Sequence, residues 1–198
     1  IGDLGCYSFH ETKSYSAGEG GALLINDDRF VERAEYILHK GTDYAEFSRG
    51  EVDRYTWVDI GSSYVPSEMQ AALADAQLRR RDEISSQRQK THQYYSRNLQ
   101  DLEDAGHLRL PVIPPERRTN YHIFYVLTSD TSERDNLKTY LRDRGIGAAS
   151  HYEPLHTSKK GKEYRYEPDD LPRTVDLAGR LLRLPIHAEM DDDYREAV

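Results

Sequence analysis

Three observations predict an α/β fold class for this chain. Short apolar strands alternate with segments that carry apolar residues at helical spacing, and glycine or proline marks most of the changes between them. Hydrophobic residues make up 37% of the 198 positions, which is enough to build a core and excludes wholesale disorder.

The elements follow in order. Gly5–Phe9 is a short apolar opening, and Ala22–Ile25 reads as a buried strand. Between them, Glu11 to Gly21 is a polar turn whose Gly18, Gly20 and Gly21 permit positive φ and close backbone approach. Asp28 is placed to cap a helix with the stripe Phe30, Ala34, Ile37 and Leu38, stopped by Lys40-Gly41. From Gly41 to Tyr64 the pattern dissolves into Arg, Asp, Gly and aromatics, the signature of a long functional loop.

Ser67 with Gln70 forms a capping box, and Met69, Leu73 and Ala76 then give a helical stripe. The helical pattern runs on to about Leu102, long enough to connect two bodies, with Arg79-Arg80-Arg81 on a solvated face. The prolines from Pro111 to Pro115 mark a boundary, so residues 1–104 and 105–198 are expected to be separate domains. Beyond it, Tyr121–Thr128 reads as a strand, and Ser132 caps a helix containing Leu137, Tyr140 and Leu141 that ends at Gly145. Gly147–Tyr152 is a second strand, and Pro172 opens a helix carrying Val175, Ala178, Leu181 and Leu182.

Charge and composition narrow the function. With 27 Lys+Arg and 35 Asp+Glu the net charge is −8, which argues against nonspecific nucleic-acid binding, and an anionic ligand needs a local basic pocket. The 15 Tyr against 4 Phe and 1 Trp favour surfaces that pack and also hydrogen-bond. The single Cys6 cannot form an intrachain disulfide, and no apolar run reaches the roughly 20 residues of a membrane span. A cytoplasmic setting without a membrane partner is therefore expected. The first Met is Met69, so the sequence reads as part of a larger protein.

Lys13, at a strand-to-loop transition, is the first candidate for chemistry, because a partly desolvated lysine amine can form a Schiff base with a carbonyl. Its position alone favours a solvated surface lysine. Ser8 and the Gly18–Gly21 turn can offer hydroxyl and backbone donors to a phosphate, although this is no Walker loop and a ligand-free turn reads the same way. Arg49 can pair with a carboxylate or a diphosphate, or simply face solvent. Trp57 and Tyr55 read as core or interface anchors. His151 and His156 flank Glu153 in a number that suits Zn²⁺, but Pro154 breaks the helix that would set their geometry, so no metal is expected.

Ser8-Phe9-His10-Glu11-Thr12-Lys13 followed by Gly18-Glu19-Gly20-Gly21 closely resembles the pyridoxal-phosphate lysine motif of the DegT/DnrJ/EryC1/StrS sugar aminotransferases. The resemblance continues in register through Arg49 to Trp57, Asp59 to Tyr64, Gln70-Ala71-Ala72 and His151-Tyr152-x-Pro154-Leu155-His156. Arg49 to Trp57 and Asp59 to Tyr64 look like the WecE/RffA-type subgroup, which aminates C4 of dTDP-4-keto-6-deoxyglucose.

That resemblance implies a fold-type I transferase: the C-terminal part of a large domain with a mostly parallel sheet, followed by a small α/β domain, in a homodimer with shared active sites. It implies pyridoxal 5′-phosphate as cofactor and L-glutamate as amino donor. By the match of positions, Lys13 is the Schiff-base lysine and proton shuttle, Ser8 donates to the cofactor phosphate, and Ser63 donates to the partner's cofactor. His151, Tyr152 and His156 lie by the active site against substrate or donor carboxylate. The implied product is dTDP-4-amino-4,6-dideoxy-D-galactose, for polysaccharide or glycoside biosynthesis.

The Asp for the pyridine nitrogen, the ring-stacking residue and a phosphate turn are expected from a preceding half, so residues 1–198 are not expected to act alone. Ser14 and Ser63 stand where the family often has Asn, and relatives continue past Val198. A C3 aminotransferase shares this lysine chemistry, and a regulatory protein retaining the fold is the alternative from another class. A dehydratase of the same fold has His where Lys13 stands, which argues against that activity.

Overall fold

The computed structural model describes residues 2–164 and 167–198. It forms two compact units, Ile1–Arg81 and Asp82–Val198. The units thus meet earlier than the expected 104/105 boundary.

In the first unit, β1 (Leu4–Ser8) pairs antiparallel with β2 (Gly21–Ile25), with Leu4 opposite Ile25 and Ser8 opposite Gly21. The mostly parallel sheet implied by the resemblance is not found in the pairings of the described residues, which are antiparallel throughout. The connection between β1 and β2 is a local loop, whereas parallel strands need a long crossover. Asp27, one residue before the expected Asp28, caps a 3-10 turn by accepting the Arg29 N–H, and α1 (Val31–Leu38) follows. Gly41, at φ +77°, ends this region as expected, and a Cβ there would lie 1.9 Å from the Asp59 carbonyl oxygen.

The segment read as an irregular loop contains α2 (Tyr44–Arg49), closed by left-handed Gly50. It is tied to neighbouring backbone by the bridges His39–Ser63 and Thr42–Trp57, and Asp43 accepts the Thr56 N–H. Trp57 is exposed and donates to the Asp59 carbonyl, so within this chain it is no core residue. Tyr55 packs edge-on against Tyr44 and Phe47. The Ser67–Gln70 capping box opens α3 (Glu68–Arg79) as the sequence predicts.

The expected single long helix is broken at Arg80, the C-cap of α3, and resumes as α4 (Arg81–Asn98) and α5 (Gln100–Asp104). No packed apolar stripe continues across the break. α4 is instead built into the second unit, where Thr91, His92 and Tyr95 are buried and the Tyr95 hydroxyl donates to the Pro185 carbonyl at 2.9 Å. Arg88 donates to the carbonyls of Tyr121 and His122.

The sheet of this unit runs β3 (Phe124–Leu127), β5 (Leu181–Leu184), β4 (Ala149–Ser150), all antiparallel, so the expected strands 121–128 and 147–152 are present but shorter. α6 (Thr131–Arg142) is capped by Asp130, which accepts the Glu133 N–H, rather than by Ser132. α7 (Pro172–Arg180) has Pro172 in its first turn, and α8 (Asp192–Ala197) closes the described chain. Leu181 and Leu182, expected in the helix of Pro172, lie in β5, where Leu182 and Leu184 pair opposite Val126 and Phe124. These residues form one core with Tyr95, Leu110, Leu141, Ile146 and Met190. Among the described residues no helix is long and apolar enough to cross a membrane.

Candidate active site

The loop joining β1 to β2 is held by its own backbone. Phe9 N–H donates to the Gly20 carbonyl and Ala17 N–H to the Phe9 carbonyl, both at 2.8 Å, and Ala17 is buried beneath the loop. Gly18 (φ +78°) and Gly20 (φ +144°) take conformations that side chains resist. The Gly18 N–H donates to Ser16 Oγ, Gln70 Nε2 donates to the Glu19 carbonyl at 3.3 Å, and the Tyr15 hydroxyl donates to the Arg81 carbonyl at 3.4 Å. The polar side chains thus fix a loop that has little apolar surface to bury.

Lys13 sits on this frame, exposed, and its N–H donates to the His10 carbonyl at 2.9 Å. Ser8 at the end of β1 accepts the His10 N–H on Oγ at 3.3 Å. His10 therefore connects Ser8 and Lys13 through its backbone, which brings two of the expected site residues onto one turn. Nδ1 of His10 accepts the Thr12 N–H at 3.2 Å, which leaves its ring proton on Nε2, 3.7 Å from Glu19 Oε1. Among the described residues neither the Lys13 ammonium nor the Ser8 hydroxyl proton is tied to a side-chain partner.

Ser63 lies elsewhere in the first unit, exposed, on an extended segment bridged to His39. Arg49 is engaged within its own unit, 2.9 Å from both Glu51 and Glu35, and these carboxylates hold its guanidinium above its ordinary pKa. An anionic ligand would have to displace them. A groove of about 630 Å³ also opens in this unit, lined mainly by Leu4, Leu23, Phe30, Ile37 and Leu38. Its walls are apolar, and none of the expected site residues lines it.

His151, Tyr152 and His156 belong to the second unit. His151 and Tyr152 are exposed, with rings 5.1 Å apart edge-on, whereas His156 is buried and its Nε2 has no partner among the described residues. Burial, and secondarily the positive charge of Arg183, push His151 below its ordinary pKa. Among the described residues no group of three His, Cys, Asp or Glu side chains is arranged to hold a metal. Tyr15 and Arg183 are functional candidates that only the folded chain reveals. No motif marks them; both matter through contacts far along the chain.

The chain as a whole is similar to known proteins. The model of the DegT/DnrJ/EryC1/StrS aminotransferase family matches residues 1–198. The chain is 30% identical, over 203 residues, to a Geobacillus stearothermophilus protein named "Pleiotropic regulatory protein", covering 100% of this chain and 51% of that one. It is also 30% identical over 197 residues to the dTDP-4-dehydro-2,3,6-trideoxy-D-glucose 4-aminotransferase of Saccharopolyspora spinosa, covering 97% and 49%. Among solved structures, the aminotransferase TlmJ of Streptoalloteichus hindustanus superposes with a TM-score of 0.83 at 27% identity, over 100% of this chain and 50% of that one. The chain spans about half the length of the curated relatives it matches.

Proposed function

This chain belongs to the DegT/DnrJ/EryC1/StrS aminotransferase family, and on that premise we propose that the protein transfers an amino group from L-glutamate to C4 of dTDP-4-dehydro-6-deoxy-D-glucose, giving dTDP-4-amino-4,6-dideoxy-D-galactose. The observation that carries this reading is the exposed Lys13 amine, held without a competing carboxylate on a loop closed by its own backbone.

Aminotransferases of this family use pyridoxal phosphate. The residues fit that group: Lys13 offers a primary amine for covalent attachment, and Ser8 offers a hydroxyl proton with no other acceptor among the described residues. When bound, the cofactor supplies an electron sink for charge developing beside the transferred amine.

Lys13 Nζ is the proton carrier of the proposal. It takes a proton from the donor Cα in the first half-reaction and delivers one to sugar C4 in the second. Ser8 Oγ orients the phosphate, and Ser63 Oγ does so for the partner subunit of a homodimer. His151, Tyr152 and His156 face the substrates. Arg49 contributes only after exchanging its two carboxylates for a ligand anion.

A regulatory role is the second reading, favoured by the name of the Geobacillus relative. The full-length protein decides between them. Enzyme chemistry predicts a visible chromophore that borohydride fixes as a mass adduct on Lys13, both absent in Lys13→Ala. A wild type with no chromophore would sink it. Regiochemistry is read by NMR of the product: an amine on C3 would overturn the C4 assignment.

A further inference from the structure

Arg183 is one of the guanidinium groups of the second unit that meet no carboxylate among the described residues, and its Nε is buried as well. Arg134, Arg142, Arg180 and Arg195 each meet a carboxylate, and Arg88 donates to two backbone carbonyls. Arg183 sits in the middle of the three-stranded sheet, with Tyr125 of β3 on one side and Ala149 of β4 on the other. It is half-buried, its Nε is wholly buried without a partner, and its one hydrogen bond among the described residues is a 3.5 Å contact from Nη2 to the Ser150 carbonyl. No carboxylate of the described residues lies within ion-pair distance. Glu153, two residues after His151, accepts from the Thr157 hydroxyl instead.

This arrangement is costly for stability. Guanidinium loses hydration on burial, and a carbonyl at 3.5 Å returns little of it. The acceptor follows directly into His151, the first residue of the His-Tyr-x-Pro-Leu-His segment, and the Arg183 charge is close enough to disfavour protonation of that imidazole. A neutral imidazole with one N–H beside a planar cation with free donors is suited to one chemical class of ligand, an oxyanion. In a chain of net charge −8 such a spot must be built locally.

We propose that Arg183, with His151, forms an oxyanion subsite that receives the carboxylate of the amino donor or a phosphate of the nucleotide sugar, so that Arg183 is a specificity-determining residue. The proposal rests on the aminotransferase reading for the identity of its ligands, but not for the existence of the site.

The test uses the full-length protein and two variants, Arg183→Met and Arg183→Lys. Calorimetric titration with 2-oxoglutarate and, separately, with dTDP is expected to show at least a tenfold loss of affinity in Arg183→Met for one of the two, partly rescued in Arg183→Lys. Loss for 2-oxoglutarate assigns the donor carboxylate, and loss for dTDP assigns the phosphate. The thermal midpoint of Arg183→Met is expected to equal or exceed that of the wild type, because a well-packed apolar residue replaces an uncompensated charge. A lowered midpoint with both affinities unchanged shows a structural arginine and overturns the subsite, as does wild-type affinity for both probes at any midpoint. Binding is read without turnover. A protein that binds through Arg183 yet transfers no amine therefore refutes the aminotransferase reading while leaving the subsite standing.

Discussion

The two units are folded by different means. The second has a core: Phe124, Val126 and Leu182 are at most 1% exposed, and α4 and α6 supply Tyr95 and Leu141 to the same cluster. In the first, Ala17 is the only apolar residue among the described ones that is buried, while Leu4, Leu23, Leu24 and Phe30 are exposed. Its shape is maintained by backbone hydrogen bonds, caps and special glycines. The unit that carries Lys13 is therefore organised by polar geometry, and the unit that carries the His-Tyr-x-Pro-Leu-His segment by apolar burial. Polar geometry is specific but contributes little net free energy per bond, about 0.5–1.5 kcal/mol.

Truncation at the centre of the core should break the contrast most. Phe124→Ala removes a fully buried ring packed against His92 and Tyr95, and is expected to cost about 3–5 kcal/mol, measured by urea denaturation of the 198-residue chain. A loss below about 1 kcal/mol would show that the core is not as packed.

The counterpart in the first unit is a glycine. Gly41→Ala places a Cβ against the Asp59 carbonyl at φ +77°, and is expected to cost roughly 1–3 kcal/mol from backbone strain alone. Hydrogen exchange should show lost protection at Ser62 and Tyr64, whose N–H groups bond the end of α1, with the second unit unchanged.

A smaller effect comes from pH. Burial holds the His92 imidazole below its ordinary value of 6.5, so the folded state keeps it neutral while the unfolded chain takes up a proton. The stability it contributes is complete above pH 6.5 and declines as pH falls through that value toward the depressed folded pKa. Chemical denaturation at pH 7.5 and 5.5 should show this loss in the second unit and a shallower one in His92→Phe; equal slopes would reject it. The smallest effect is expected from Leu23→Ala, about 0.5 kcal/mol in the 198-residue chain because that side chain is half exposed in the groove. A core-sized cost for the same change in a longer form of the protein would show that the groove is covered there.

Local signals were legible wherever a few adjacent residues decide the outcome. Ser67 and Gln70 close their box, Pro172 starts α7, and Gly41 and Gly145 take the left-handed conformation where a stop was expected. Two caps moved by only one or two residues, to Asp27 and Asp130, because carboxylates compete closely with their neighbours for the same N–H groups. The run Leu181–Leu184 misled because four residues fit both a helical stripe and a strand, and only pairing with β3 and β4 resolved it. The break at Arg80 had no glycine or proline to announce it.

By itself the sequence determined the α/β class and the family to which the residues 8–21 and 151–156 motifs point, and it singled out Lys13 as the candidate Schiff-base lysine. Motifs and turns are written in neighbouring residues, and the reactivity of an amine or imidazole belongs to the side chain. Tertiary structure alone decided that Arg49 is spent on Glu35 and Glu51, and that Arg183 is left without a carboxylate among the described residues. The reason is physical: a charge is free or engaged according to what lies within about 4 Å of it, and those neighbours come from positions that only the folded chain brings together.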